Sequence, residues 1–306
     1  ADQRRGLFLA ALLHDIGKPA KTRLENGRIT SRGHSHKGEV MARVALWEMG
    51  VQIQEREQIA SLIRFHQAPF FLVDRADSQR MLFEISQSAR CDYLASVAAA
   101  DAQGRVCEDK QHLLDNISLF VEYALDQRCL TGPREFPSDH SRFEYFRTAN
   151  RSPDYLAFDA TRLEVVLMSG LPGSGKDYWV AENLSGWPVV SLDSLREEMG
   201  IAPDEPQGAV VSQARERGRE YLRRAESFVW NATNLSRQIR EACISLFAAY
   251  GARIRIVHVE APPSKLYERN RERSSVVPEG VIHRLLDRWE VPDLTEAHQV
   301  DWVQID

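Results

Sequence analysis

Long apolar runs are missing from the sequence. Stretches such as Val97–Ala100 and Val165–Met168 fall far short of the roughly 20 residues that cross a bilayer. Cysteine is sparse as well: Cys91, Cys107, Cys129 and Cys243 stand apart, with no CxxC spacing. That excludes a zinc knuckle and a disulfide framework, and it makes a reducing cytoplasm the expected location. There is no low-complexity tract and no internal repeat. An excess of positive charge is also absent, since the net charge is −5, with the first half balanced and the second half acidic. A basic platform for extended duplex is thereby excluded, whereas an enzyme that grips one strand end needs only a few arginines. Lysine is scarce in the second half, where Lys176 and Lys265 stand against sixteen arginines. This bias suits bidentate phosphate contacts and is equally what a GC-rich genome would produce.

What remains is ordinary globular material, 43% hydrophobic and 27% charged over 306 residues, a length that predicts two domains. Residues 1–155 read as helices, with i, i+3, i+4 apolar spacing in Val40–Met49 and Ile59–Phe65 and no strand-like alternation. Thr131–Asp154 reads as a linker enclosing a short helix. Residues 156–306 alternate. Leu163–Met168, Pro188–Ser191, Phe228–Asn231, Ile254–Val259 and Trp302–Ile305 are strand candidates separated by helical stretches. The expected fold is therefore multidomain: an all-α domain followed by an α/β domain with a parallel sheet.

Gly170-Leu171-Pro172-Gly173-Ser174-Gly175-Lys176 satisfies GxxxxGK between a predicted strand and a predicted helix. The glycines let successive N–H groups curl around one anion, the helix start adds its dipole, and Lys176 supplies charge to the outer phosphates. The next residue is Asp177, where the pattern expects a Ser or Thr to hold Mg²⁺; a carboxylate offers the same hard oxygen.

Asp193-Ser194-Leu195-Arg196 follows the second strand. Asp193 suits a general base for an attacking hydroxyl and Arg196 a clamp on an acceptor phosphate. On spacing alone, an Asp N-cap with a solvated Arg fits equally. Asn231, Thr233 and Asn234 close the third strand, with Arg237 and Arg240 on the helix after it. Thr233, Asn234 and Arg237 are candidates for an acceptor wall, although capping by Thr233 or Asn234 is the simpler reading. Arg269, Arg271 and Arg273 read either as a lid closing arginines on phosphate or as a solvated helix face.

His14-Asp15 ends an apolar helix stopped by Gly17 and Pro19. His34, His36 and Gly38 follow, then His66 late in a helix, then Asp101 after Val97–Ala100. Imidazoles and carboxylates drawn from separate helices suit one or two divalent transition metals that activate water against a phosphoester. Singly, each is more simply a core histidine or a helix cap.

On these residues the first half resembles the HD-domain phosphohydrolases, and the second resembles the P-loop 5′-hydroxyl polynucleotide kinases. The order of the two resembles the bacterial HD-Pnk end-healing enzymes. The resemblance implies ATP or another NTP with Mg²⁺, and a transition metal (Mn, Ni, Co, Fe, Cu or Zn) in the HD half. It implies RNA or DNA ends as partners, a ligase acting downstream, and no membrane. It makes His14, Asp15, His34, His66 and Asp101 metal ligands, and Asp193 the base. Arg196 binds the phosphate beside the acceptor hydroxyl, and Lys176, Arg269 and Arg273 meet ATP. His36 orients a ligand or a substrate phosphate. The family also uses a His upstream of the doublet, and no His precedes His14 here. The sequence begins Ala1-Asp2-Gln3 without Met, so that His is expected in residues before Ala1; otherwise the phosphoesterase is impaired.

The function expected is therefore nucleic-acid end healing: phosphorylation of 5′-OH ends plus removal of 2′,3′-cyclic or 2′/3′-phosphate. Two other functions fit the same motifs. One is a nucleoside or nucleotide kinase fused to a nucleotidase. The other is a nucleotide-sensing switch without phosphoryl transfer, for which Asp177 is the only support.

Overall fold

The computed structural model describes residues 2–201, 205–273 and 276–306. It divides into two compact units, 1–136 and 137–306. The division falls inside the segment read as a linker, Thr131–Asp154, whereas the join expected from sequence lies after it, at 155/156. The reason is local: Arg142 donates to the carbonyls of Leu294 and His298 at 3.0 and 2.6 Å, tying residues 137–158 to the second unit.

The first unit contains α1 (Asp2–Leu13), α2 (Lys18–Lys21), strands β1 (Arg23–Glu25) and β2 (Arg28–Thr30), α3 (His34–Glu48) and α4 (Ile53–Phe65). After them come α5 (Ala68–Phe71), a 3₁₀ turn (Leu72–Asp74), α6 (Ser78–Ser86), α7 (Cys91–Gly104) and α8 (Lys110–Asp126). Leu46, Trp47, Ile59, Leu62, Ile63, Phe70, Phe83, Leu94, Ala98 and Phe120 are buried in it. Burying the apolar stripe of each helix is what sets the packing. Helix α1 lies against α4 and α7, and α3 lies against α4. These contacts gather the end of α1, the start of α3, the end of α4 and the late part of α7. One feature departs from the all-helical expectation: β1 and β2 form an antiparallel hairpin, exposed along nearly its whole length. Its turn is Asn26-Gly27, both at positive φ, the dipeptide that favours a tight hairpin.

The second unit contains α9 (Asp139–Arg147), β3 (Leu163–Ser169), α10 (Lys176–Asn183), β4 (Val189–Ser191), α11 (Leu192–Glu198) and α12 (Gly208–Arg223). Next come β5 (Phe228–Asn231), α13 (Arg237–Ala248), β6 (Ala252–Glu260), α14 (Pro263–Glu272), α15 (Glu279–Leu286) and β7 (Gln299–Gln304). The five strands are parallel in the order β4-β5-β3-β6-β7. Both sheet faces are covered. Val165, Leu167, Phe228, Trp230, Ile254 and Ile256 pack on one side, and Val166, Met168, Val229, Val257 and Val259 pack on the other against Trp179 and Val180. This is why the central strands read as continuous apolar runs rather than as alternation. The chain leaves β3 for one side of the sheet and later returns to β6 on the other. Ligands of such sheets bind at the carboxyl ends of the strands beside that reversal.

Candidate active sites

In the first unit, the end of α1 brings the His-Asp pair to the other ligand candidates on α3, at the end of α4 and on α7. Close backbone approach makes this possible. A Cβ at Gly17 would stand 2.1 Å from the carbonyl oxygen of His34 and 2.6 Å from the amide nitrogen of Gly38. Nδ1 of His14, His34 and His66 lies 2.7, 2.8 and 2.8 Å from the carbonyl oxygens of Ala11, Ser31 and Ile63. A carbonyl can only accept, so each Nδ1 carries a proton, and in the neutral ring each Nε2 keeps a lone pair. Nε2 of His34 then lies 3.3 Å from Oδ1 of Asp15, and Nε2 of His66 lies 3.9 Å from the same oxygen. Nε2 of His14 is 3.2 Å from Asp15 Oδ2 and 3.8 Å from Asp101 Oδ1.

Among the described residues, Asp15 Oδ1, His34 Nε2 and His66 Nε2 are buried without a hydrogen-bond partner. Lone pairs facing lone pairs in a buried place fit a cation, since unpartnered acceptors are otherwise costly. Two ligand sets overlap at His66: His14/His66/Asp101 and Asp15/His34/His66, with ligand atoms within 4.8 Å of one another in each. All five expected ligands are thus brought together. Burial holds the His66 imidazole down at about 4, with His14 and His34 adding to the effect, so it is neutral at pH 7 and open to a metal. His36 lies apart, its Nδ1 3.2 Å from Glu39 Oε2. Burial opposes the charge on Glu39, but Arg43, His36 and Arg64 prevail and hold it at about 2.

Two cations that sequence reasoning missed also sit here. Lys18 donates to Asp15 Oδ2 at 2.5 Å, and Arg105 forks onto Asp101 at 3.0 and 2.5 Å. His14, Asp15, Lys18, Asp101 and Arg105 line a cavity of about 370 Å³. The spacing of Asp101 and Arg105, four apart on one helix, was available as a signal.

In the second unit, Gly170, Gly173 and Gly175 have φ of +144°, +80° and +98°. A Cβ at Gly170 would stand 2.3 Å from Val259 O, and one at Gly173 would stand 2.7 Å from Leu266 O. Only glycine fits this loop. Helix α10 starts at Lys176, whose Nζ donates to the carbonyls of Gly170 and Leu171 at 3.0 Å each. Burial lowers the ammonium to about 8, with Arg273 adding to the effect and Asp177 and Asp193 opposing it. Ser174 is buried, and its hydroxyl has no partner among the described residues. A curled loop with a cation and a spare hydroxyl fits a phosphate chain.

Asp193 lies in the first turn of α11 but does not cap it. Ser191 does, accepting from the Ser194 amide. Asp193 is instead held by Arg196 at 2.6 Å and by Arg273 at 3.1 Å. Burial opposes its charge, but the two guanidiniums keep its carboxyl below the usual range. Arg196 is steadied by Gln207 at 2.8 Å. Asp177, at the usual Ser/Thr position, accepts from Asn231 Nδ2 at 2.5 Å. Gly173, Gly175, Lys176, Asp177, Asp193, Arg196, Asn231, Thr233, Arg269 and Arg273 share one cavity of about 540 Å³, whose lining also includes Tyr178, Val277, Val281 and Leu285. Arg269 is bonded to the carbonyls of Ile305 and Asp306 at its edge.

Two expected acceptor residues do not line it. Asn234 is buried at φ 44° and donates to Met168 O at 2.7 Å, tying the end of β3 to the next loop. Arg237 turns to Asp293 and Thr295, at 3.3 and 2.6 Å. Neither Thr233 nor Asn234 caps α13; Ser236 does.

Residues 2–102 match the family model of the HD domain, and residues 165–292 match a model described as an AAA domain. Among solved structures, the chain is similar to a candidate kinase from Chloroflexus aurantiacus J-10-fl, with 16% identity and a TM-score of 0.40 over 47% of this chain and 86% of that one. It is also similar to a sugar kinase from Janibacter sp. HTCC2649, with 18% identity and a TM-score of 0.35 over 46% and 85%. A gluconokinase from Sinorhizobium meliloti 1021 gives 24% identity and a TM-score of 0.34 over 46% and 82%. At these scores the likenesses decide nothing about substrate. By its two family matches and its parallel five-stranded sheet, the chain is an N-terminal HD domain joined to a C-terminal P-loop kinase-like domain.

Proposed function

We propose that this chain heals nucleic-acid ends, phosphorylating 5′-OH termini with ATP and removing 2′,3′-cyclic or 2′/3′-phosphate from the opposite terminus. The observation that carries the reading is the placement of Asp193. Its carboxylate, flanked by Arg196 and Arg273, shares one cavity with Lys176 and the phosphate loop. In the transfer, the acceptor hydroxyl gives its proton to Asp193. Its oxygen bonds to the γ-phosphorus as the bond to the ADP oxygen breaks. Such a transition state is loose, so alignment of the hydroxyl counts for more than basicity. Lys176 and the loop amides hold the ATP phosphates, Arg273 meets the moving phosphoryl group, and Arg196 binds a phosphate beside the acceptor hydroxyl. Asp177, oriented by Asn231, offers the carboxylate oxygen for Mg²⁺, which neutralises charge on the triphosphate when bound. Tyr178, Val277, Val281 and Leu285 add an apolar wall that suits a nucleobase better than the hydroxyls of a sugar.

In the HD half, His14, Asp15, His34, His66 and Asp101 would hold a divalent metal, which when bound supplies an activated water. The three imidazoles contribute by keeping Nε2 proton-free through their Nδ1–carbonyl bonds.

An acceptor panel with labelled ATP tests the kinase half. A 5′-OH oligonucleotide is expected to take label, free nucleosides and gluconate far less, and Asp193→Asn to abolish transfer. Preferential labelling of a nucleoside or a sugar would replace this reading with that of a small-molecule kinase. ATP binding with no transfer to any acceptor would leave the nucleotide-sensing switch.

A further inference from the structure

The HD cavity holds more positive charge than a ligand shell requires. Arg105 follows α7 directly, at the helix end that favours a cation. Its guanidinium carbon lies 4.8 Å from the centroid of the Phe70 ring, which is fully buried, a cation–π contact. Nε and Nη2 fork onto Asp101, while Nη1 makes no hydrogen bond among the described residues. The carboxylate under this fork is also a member of the His14/His66/Asp101 ligand set. Arg105 lines the same cavity as His14 and Asp15. It therefore stands beside the ligands in one cavity, with a guanidinium nitrogen not committed to Asp101.

A salt bridge that served only to steady Asp101 would not need to face the cavity. A cation held by the ligand set would share the charge of Asp101, so that the guanidinium could also meet a second anion. Arginine's planar fork matches a phosphoryl group's paired oxygens. We infer that Arg105 is a phosphate-binding residue of the HD site and that the ligand it recognises is a phosphate ester with at least one charged phosphoryl oxygen. The inference rests on the metal-site reading above.

The test uses the full chain loaded with Mn²⁺ and titrated with inorganic phosphate by calorimetry, with bound metal measured in parallel. Arg105→Ala is expected to bind as much Mn²⁺ as the parent chain and to bind phosphate about 10- to 100-fold more weakly. Arg105→Lys keeps the charge beside Asp101 without the fork, and it is expected to fall between the two. Unchanged phosphate affinity in metal-loaded Arg105→Ala and Arg105→Lys would overturn the inference alone. Loss of Mn²⁺ in step with loss of phosphate would also overturn it, making Arg105 a support for Asp101. A parent chain that takes up no Mn²⁺ would overturn the metal reading and this inference together.

Discussion

A Cβ at Gly17 would meet the His34 carbonyl oxygen at 2.1 Å, so Gly17→Ala must push the His14-Asp15 turn away from the start of α3. The expected cost is about 3 kcal/mol, with loss of bound metal, read by thermal melting and metal analysis. Lys176 has a different test. Burial brings its ammonium from 10.5 down to about 8. The unfolded chain therefore holds this proton between pH 8 and 10.5 while the folded chain releases it. This residue's contribution to stability accordingly rises with pH across that window. ATP affinity moves the opposite way, because the cation is the partner of the phosphates. Titration calorimetry is expected to show affinity of the free protein falling above pH 8, and Lys176→Ala to be weak and flat with pH. Individual residues were legible where their neighbours in sequence are their neighbours in space, as in Gly170–Lys176 and His14-Asp15. The bond from Asn231 to Asp177 spans 54 positions, and the turn of Arg237 toward Asp293 spans 56, so no local pattern announces either.

Elements place these side chains, and one buried ion pair places a key loop. Arg240 on α13 is fully buried and forks onto Glu296 at 2.7 and 2.8 Å. It also donates to the carbonyls of Asn234, Leu235 and Glu290. The segment it grips begins at Thr233, whose carbonyl accepts from the amide of Gly170 at 2.9 Å. Arg240 thus steadies the floor of the phosphate loop. Arg240→Ala leaves Glu296 buried without its partner and is expected to cost about 3–5 kcal/mol, measured by denaturant unfolding. Strands were readable from their apolar β-branched runs, since a sheet covered on both faces needs apolar residues at every position. The β1–β2 hairpin was not, because its exposed strands carry no buried face to set an alternation. The caps Ser191 and Ser236 were missed in favour of Asp193, Thr233 and Asn234. Capping depends on where the helix begins, and sequence locates that less sharply than it locates the helix itself.

At the scale of the whole molecule, two chemistries meet in one chain, each built on its own unit. No helix among the described residues is long and apolar enough to cross a membrane. One half gathers proton-free imidazole nitrogens and carboxylates; the other gathers a phosphate loop, a carboxylate and arginines. In the proposed function their common object is a phosphoester bond, removed in one case and made in the other. The most direct measurement takes a single RNA strand bearing a 5′-OH and a 2′,3′-cyclic phosphate, incubated with the full chain, ATP, Mg²⁺ and Mn²⁺ and read by mass spectrometry. The account predicts one phosphate gained at the 5′ end and the cyclic phosphate lost. Asp193→Asn should block only the first change and His66→Ala only the second. A strand unchanged at both ends, with ATP consumed on a sugar or nucleoside instead, would contradict it.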